Sequence, residues 1–69
     1  MKRTQRFERR LKEAKEGNGI EVFKNYKHEI EMQRTRMNAS KNGFIRTCCS
    51  QEIDQLKAEK DAIEMEVVG

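Results

Sequence analysis

Proline and tryptophan are absent from this chain of 69 residues, which has one tyrosine, one histidine and two cysteines. Without proline, no position forbids the interior of a helix. Val, Ile, Phe, Tyr and Thr are too sparse and scattered to alternate along strands, which excludes a sheet. One histidine and two cysteines exclude most metal and redox architectures. No apolar run approaches the roughly 18 residues that a membrane span needs. The stretch from Met1 to Lys12 is basic and lacks the apolar core of a signal peptide, so the expected setting is cytoplasmic and reducing. The length excludes Rossmann-type folds, TIM barrels and multi-domain enzymes. It leaves one small domain, residues 1–69, burying only about 60% of the surface that its unfolded form exposes.

Charged residues make up 39% of the chain and hydrophobic ones 35%. Glu, Lys, Arg, Gln, Met, Ala and Leu, the strong helix formers, dominate it. The expected class is all-α. High charge with low hydrophobicity is also a signature of disorder. The modest net charge of +3 and the periodic apolar residues favour folding, in an oligomer if not alone.

Glycine marks the breaks. Gly17-Asn18-Gly19 readily reaches positive φ and ends a helix, and Asn42-Gly43 is the second stop. Three helices are expected, over residues 2–16, 20–39 and 44–66. In the first, Phe7, Leu11 and Ala14 fall at i, i+4 and i+7. Three apolar side chains hold such a helix weakly, so it is expected to dock loosely or to be ordered by a partner. In the second, Ile20, Phe23, Ile30 and Met37 form a seam interrupted by Lys27 and Arg34, with Val22 and Tyr26 widening it. In the third, Ile45, Cys49, Ile53, Leu56, Ile63 and Val67 repeat at helical spacing, interrupted by Lys60. Ser50 offers an alternative, later start for that helix.

The short second connection predicts an antiparallel helical hairpin preceded by a short basic helix. One long bent helix is the alternative, since the second seam continues through Lys41, Phe44, Cys48 and Gln51. A lone hairpin leaves much of its apolar stripes facing water. The expectation is therefore a homodimer that completes a bundle, with Ile20, Ile30, Met37, Ile45, Cys49, Ile53, Leu56 and Ile63 packing its core or interface.

Charge is divided unevenly. Residues 1–46 carry a net +7 and residues 47–69 a net −4. Either the basic first helix lies along the acidic third, or its arginines project at a phosphate backbone or an acidic protein surface. As phosphate contacts the candidates are Lys2, Arg3, Arg6, Arg9 and Arg10. No zinc-finger spacing, RNP-like aromatic motif or basic zipper is present.

Other features read as structural. Cys48 and Cys49 are adjacent, which disfavours a bond between them, and Cys49 sits on the apolar stripe as a small core residue. A reactive thiol or an intermolecular disulfide is the lesser reading. His28 has no partners at metal-ligand spacing. Glu29 and Glu31 point to different sides of a helix. There is little room for a pocket, and neither cofactor, metal nor small-molecule substrate is expected.

These features predict a small non-enzymatic regulator that binds a larger protein, in the style of short intracellular regulators such as those of phages. Aromatic and arginine side chains are the usual anchors of such contacts. The candidates are Phe7, Arg10, Leu11, Phe23 and Tyr26. The alternative is a nucleic-acid-binding regulator that uses the basic helix as an arm.

Overall fold

The computed structural model describes residues 3–68 and is all-helical, with no strand among them. Three helices follow one another: α1 (Gln5–Glu13), α2 (Gly19–Ala39) and α3 (Gly43–Val68). They form an elongated body of 41 × 20 × 19 Å. α2 and α3 are the antiparallel hairpin that the sequence predicts, and α1 lies against the pair.

Each end has a local cause. Thr4, not the start of the chain, sets the beginning of α1. Its Oγ1 accepts from the Phe7 N–H at 3.0 Å, satisfying one of the amides that a helix leaves unpaired at its N-terminus. Lys2, the expected first residue of this helix, lies outside the described residues. α1 ends in a widened turn, Ala14–Asn18, where Gly17 takes φ +104. That conformation is strained for any residue with a Cβ, so the glycine permits the reversal into α2.

Ser40 is extended and closes α2, its N–H donating to the carbonyls of Arg36 and Met37. Asn42 then opens α3. Its Oδ1 accepts from the N–H groups of Phe44 at 2.9 Å and Ile45 at 3.4 Å. Ser50 lies inside the helix, so the later start is not adopted. Arg46 reaches back from α3, and its Nη1 donates to the carbonyls of Met37 and Ser40, both at 3.3 Å. The reversal is thus tied at its caps, and the single long helix is not formed.

The core is shared by all three helices and the turn after α1. Phe7, Leu11 and Ala14 meet Val22, Tyr26 and Ile30 of α2 and Ile53, Leu56 and Ile63 of α3. The expected stripe of the first helix is therefore the buried one. In the structure Phe7 is only 2% exposed, covered by the hairpin. In α2 the two stripes share the core: Ile30 of the seam is buried, and Phe23 and Met37 pack against it, partly buried. Val22 and Tyr26, which the sequence suggested merely widened the seam, are buried in the core as well, whereas Ile20 is 75% exposed. In α3 the buried row runs Cys49, Ile53, Leu56, Glu59 and Ile63. A glutamate thus occupies a place that periodicity alone assigned to no one.

Candidate partner-binding groove

What α1 covers decides what the hairpin leaves open, and a buried carboxylate decides how α1 sits. Glu59 is 0% exposed. Its Oε1 accepts from Arg6 Nε at 3.0 Å and from the Tyr26 hydroxyl at 2.9 Å. Its Oε2 accepts from Arg6 Nη2 at 2.7 Å, Gln55 Nε2 at 2.8 Å and the Thr4 hydroxyl at 3.2 Å. Donors from α1 and its cap, from α2 and from α3 thus converge on one side chain. Burying a charge is unfavourable unless it is paired and hydrogen-bonded, and this one is both.

The ionisation of the cluster follows. Burial pushes the Glu59 carboxyl up, but hydrogen bonds from Arg6, Gln55 and Tyr26 outweigh it and hold the group below its ordinary range. The Glu59 hydrogen bond raises the Arg6 guanidinium above its usual value, against a desolvation effect of opposite sign. Burial, reinforced by the neighbouring carboxylate, pushes the Tyr26 hydroxyl well above its ordinary value. The cluster is therefore a carboxylate, a guanidinium and a neutral phenol across the neutral range.

Further ion pairs hold α1 along its length. Arg6 Nη1 also donates to Glu52 at 2.7 Å. Arg10 makes a two-pronged pair with Glu29, its Nη2 donating to Oε1 at 3.0 Å, and its guanidinium lies 4.6 Å from the centre of the Tyr26 ring. Lys15, in the turn, pairs with Glu66 at 3.2 Å. The basic first helix thus spends much of its charge on carboxylates of α2 and α3.

The opposite face of the hairpin has no such cover. There α2 and α3 enclose an open groove of about 660 Å³. Its floor is apolar: Ile20, Phe23 and Ile30. Lys24, Lys27 and Arg34 rise from α2 on one side, and Lys57 and Lys60 from α3 on the other. Glu31 and Asp61 are the acids of the lining, so cations outnumber acids there. Lys60 Nζ stands 5.9 Å from the centre of the Phe23 ring and 3.9 Å from the carboxylate of Glu64. The expectation of little room for a pocket is corrected here. Two antiparallel helices side by side generate a groove of this size between them.

The predicted contact residues are divided by this arrangement. Phe7, Leu11 and Tyr26 are buried in the core, and Arg10 is held by Glu29. They bind α1 to the hairpin and are largely covered. Phe23 lines the groove and packs against the core from outside. Among the phosphate candidates, Arg6 is paired with Glu52 and Glu59, and Arg3 with Glu8. Arg9 is exposed, and Lys2 lies outside the described residues. Of the packing candidates, Ile30, Cys49, Ile53, Leu56 and Ile63 are buried, whereas Met37 and Ile45 are half-buried.

Of the two residues that matter most here, the sequence did not single out Glu59 and singled out Ile20 only as a packing residue of the core or of a dimer interface. Glu59 and Ile20 trade the places that composition suggests, the acid inside and the isoleucine outside. The signal for the second was present: Lys27 and Arg34 interrupt the seam on which Ile20 sits, and a seam with cations in it borders water.

Cys48 is exposed and Cys49 buried, both as free thiols. His28 is exposed. Among the described residues no cluster of three or more His, Cys, Asp or Glu side chains is placed to hold a metal, and no helix is long and apolar enough to cross a membrane. No protein-family model, curated protein or solved structure matches the chain.

Proposed function

We propose that this chain is a non-enzymatic helical module that binds a larger protein and modulates it from the open face of the α2–α3 hairpin. The observation that supports this is the exposure of Ile20 beside Phe23 at the floor of a groove that α1 leaves uncovered. A groove between two helices is a common seat for a helix of a partner, whose apolar anchors fill it. The anchors on this side are Phe23 and Ile20, in place of the Phe7, Leu11 and Tyr26 that pattern alone favours.

A homodimer has less to recommend it once α1 is in place. The argument for dimerisation was that both faces of the hairpin need cover, and α1 supplies one. Pairing two copies through the groove about a two-fold axis sets the same patch against itself. Its cations would then face cations. The chain is proposed to act as a single copy.

The nucleic-acid reading requires Arg6 and Arg10 to leave their carboxylates, and retains Arg9 as its main described contact. A photo-reactive side chain separates the readings. Placed at Ile20 in the cell of origin, it is expected to yield a protein adduct that survives nuclease treatment. An adduct formed only from position 9, and lost on nuclease treatment, would replace the proposal by the arginine-arm reading.

A further inference from the structure

We infer that the occupant of the groove is an amphipathic helix whose apolar stripe is flanked by aspartate and glutamate. This rests on the protein-binding reading above and adds the chemistry of the partner. Ile20, Phe23 and Ile30 lie within ten steps along α2, from position 20 to position 30, about 15 Å at 1.5 Å per residue. That length exceeds the roughly 10.5 Å covered by the i, i+3 or i+4, i+7 anchors of a helix laid in a groove, so it accommodates them.

Charge complementarity selects the flanks. None of the ion pairs among the described residues involves Lys24, Lys27, Arg34 or Lys57. Of the cations of α1 and its flanks, Arg3, Arg6, Arg10 and Lys15 each face a carboxylate of this chain, and among the described residues Arg9 and Lys12 do not. The groove therefore holds four basic side chains that form no ion pair among the described residues, in a lining where cations outnumber the acids Glu31 and Asp61, bordering an apolar floor. Carboxylates on an incoming helix meet cations on both walls at once, which speeds encounter and fixes orientation. The same positive walls disfavour a second copy of this chain.

The floor favours a helix over a nucleic acid. Two of its three apolar side chains are aliphatic and offer no stacking platform. The third, Phe23, has the Lys60 ammonium over its ring.

Fluorescence anisotropy with the full chain tests the inference directly. The probes are a helical peptide of about 18 residues with a leucine stripe flanked by glutamates, the same peptide flanked by lysines, and an oligothymidylate of about 20 nucleotides. The glutamate-flanked peptide is expected to bind about tenfold or more tighter than the lysine-flanked one, with an affinity that falls as salt rises. The double variant Lys27→Glu/Lys57→Glu changes two exposed side chains, so it keeps its helicity, and it is expected to reverse the preference.

Equal binding of the two peptides, or stronger binding of the oligonucleotide, would overturn the assignment. Failure of the peptides together with a protein adduct at Ile20 would remove the acidic-helix chemistry and leave the binding module. Failure of both would remove the module as well.

Discussion

Arg6 and Glu59 are 53 residues apart in the chain and 2.7 Å apart in space. Their pairing, with Tyr26, Thr4 and Gln55 around the same carboxylate, fixes which face of the hairpin α1 covers. The groove exists because of that choice.

Removing one partner leaves the other charge without its match, which costs far more than removing both. Arg6→Met is expected to destabilise the chain by about 2–4 kcal/mol, somewhat below the fully buried case because Arg6 is 26% exposed. A domain of this size rarely has more than about 3–5 kcal/mol in total. The variant is therefore expected to lose much of its helical signal, and Arg6→Met with Glu59→Met to recover most of it. Urea denaturation of the single and double variants measures the coupling.

Acid acts on the same cluster. The Glu59 carboxyl is held below its ordinary value in the folded chain. Its contribution is present above the unfolded value, about 4.3, and is lost as pH falls through the folded one. The urea midpoint is expected to decline below about pH 4.5. Glu59→Gln, less stable at neutral pH, is expected to show a shallower decline.

Tyr26 reports the alkaline side. It is the single tyrosine of the chain, and there is no tryptophan, so its phenolate absorbance is read without interference. Burial raises its folded value above the ordinary one. Stability is then intact below about pH 10 and is lost as pH rises through the folded value, since only the unfolded phenol ionises freely. The absorbance titration is expected to have its midpoint above pH 10 and to coincide with loss of helix. An ordinary midpoint with the helix intact would contradict the buried, hydrogen-bonded phenol.

The two hinge glycines are expected to respond in opposite directions. Gly17 has φ +104, so Gly17→Ala strains the backbone by about 1 kcal/mol or more. Gly43 opens α3 with nothing within 4 Å of an added Cβ. Gly43→Ala is expected to stabilise the chain by about 0.4–1 kcal/mol. Thermal melts of the two variants give the signs.

Much of the fold is legible before any coordinates. The absence of proline, the helix-forming composition and two glycine-marked breaks lead to the hairpin. The spacing of Phe7, Leu11 and Ala14 picks the buried face of α1. Two things are hidden. Glu59 lies beside the apolar row, where helical spacing alone reads it as solvated, and its burial depends on Arg6 and Thr4, which no local pattern connects to it. In α2 Val22 and Tyr26 join Ile30 of the seam in the core while Ile20 stays outside it, and how far the core extends around the helix is settled by where α1 docks. That is a long-range choice, carried by the ion pairs of Arg6 and Arg10. The groove, being what the core leaves over, is hidden for the same reason.

Sedimentation equilibrium over a wide range of concentration, near neutral pH and at moderate salt, tests most directly whether the groove is kept for another molecule. The account predicts a single species at the chain mass of 8.2 kDa, because α1 covers one face and the cations of the other oppose self-pairing. A stable species of twice that mass, converted to the single chain by Ile20→Asp, would contradict it and make the groove the interface between two copies.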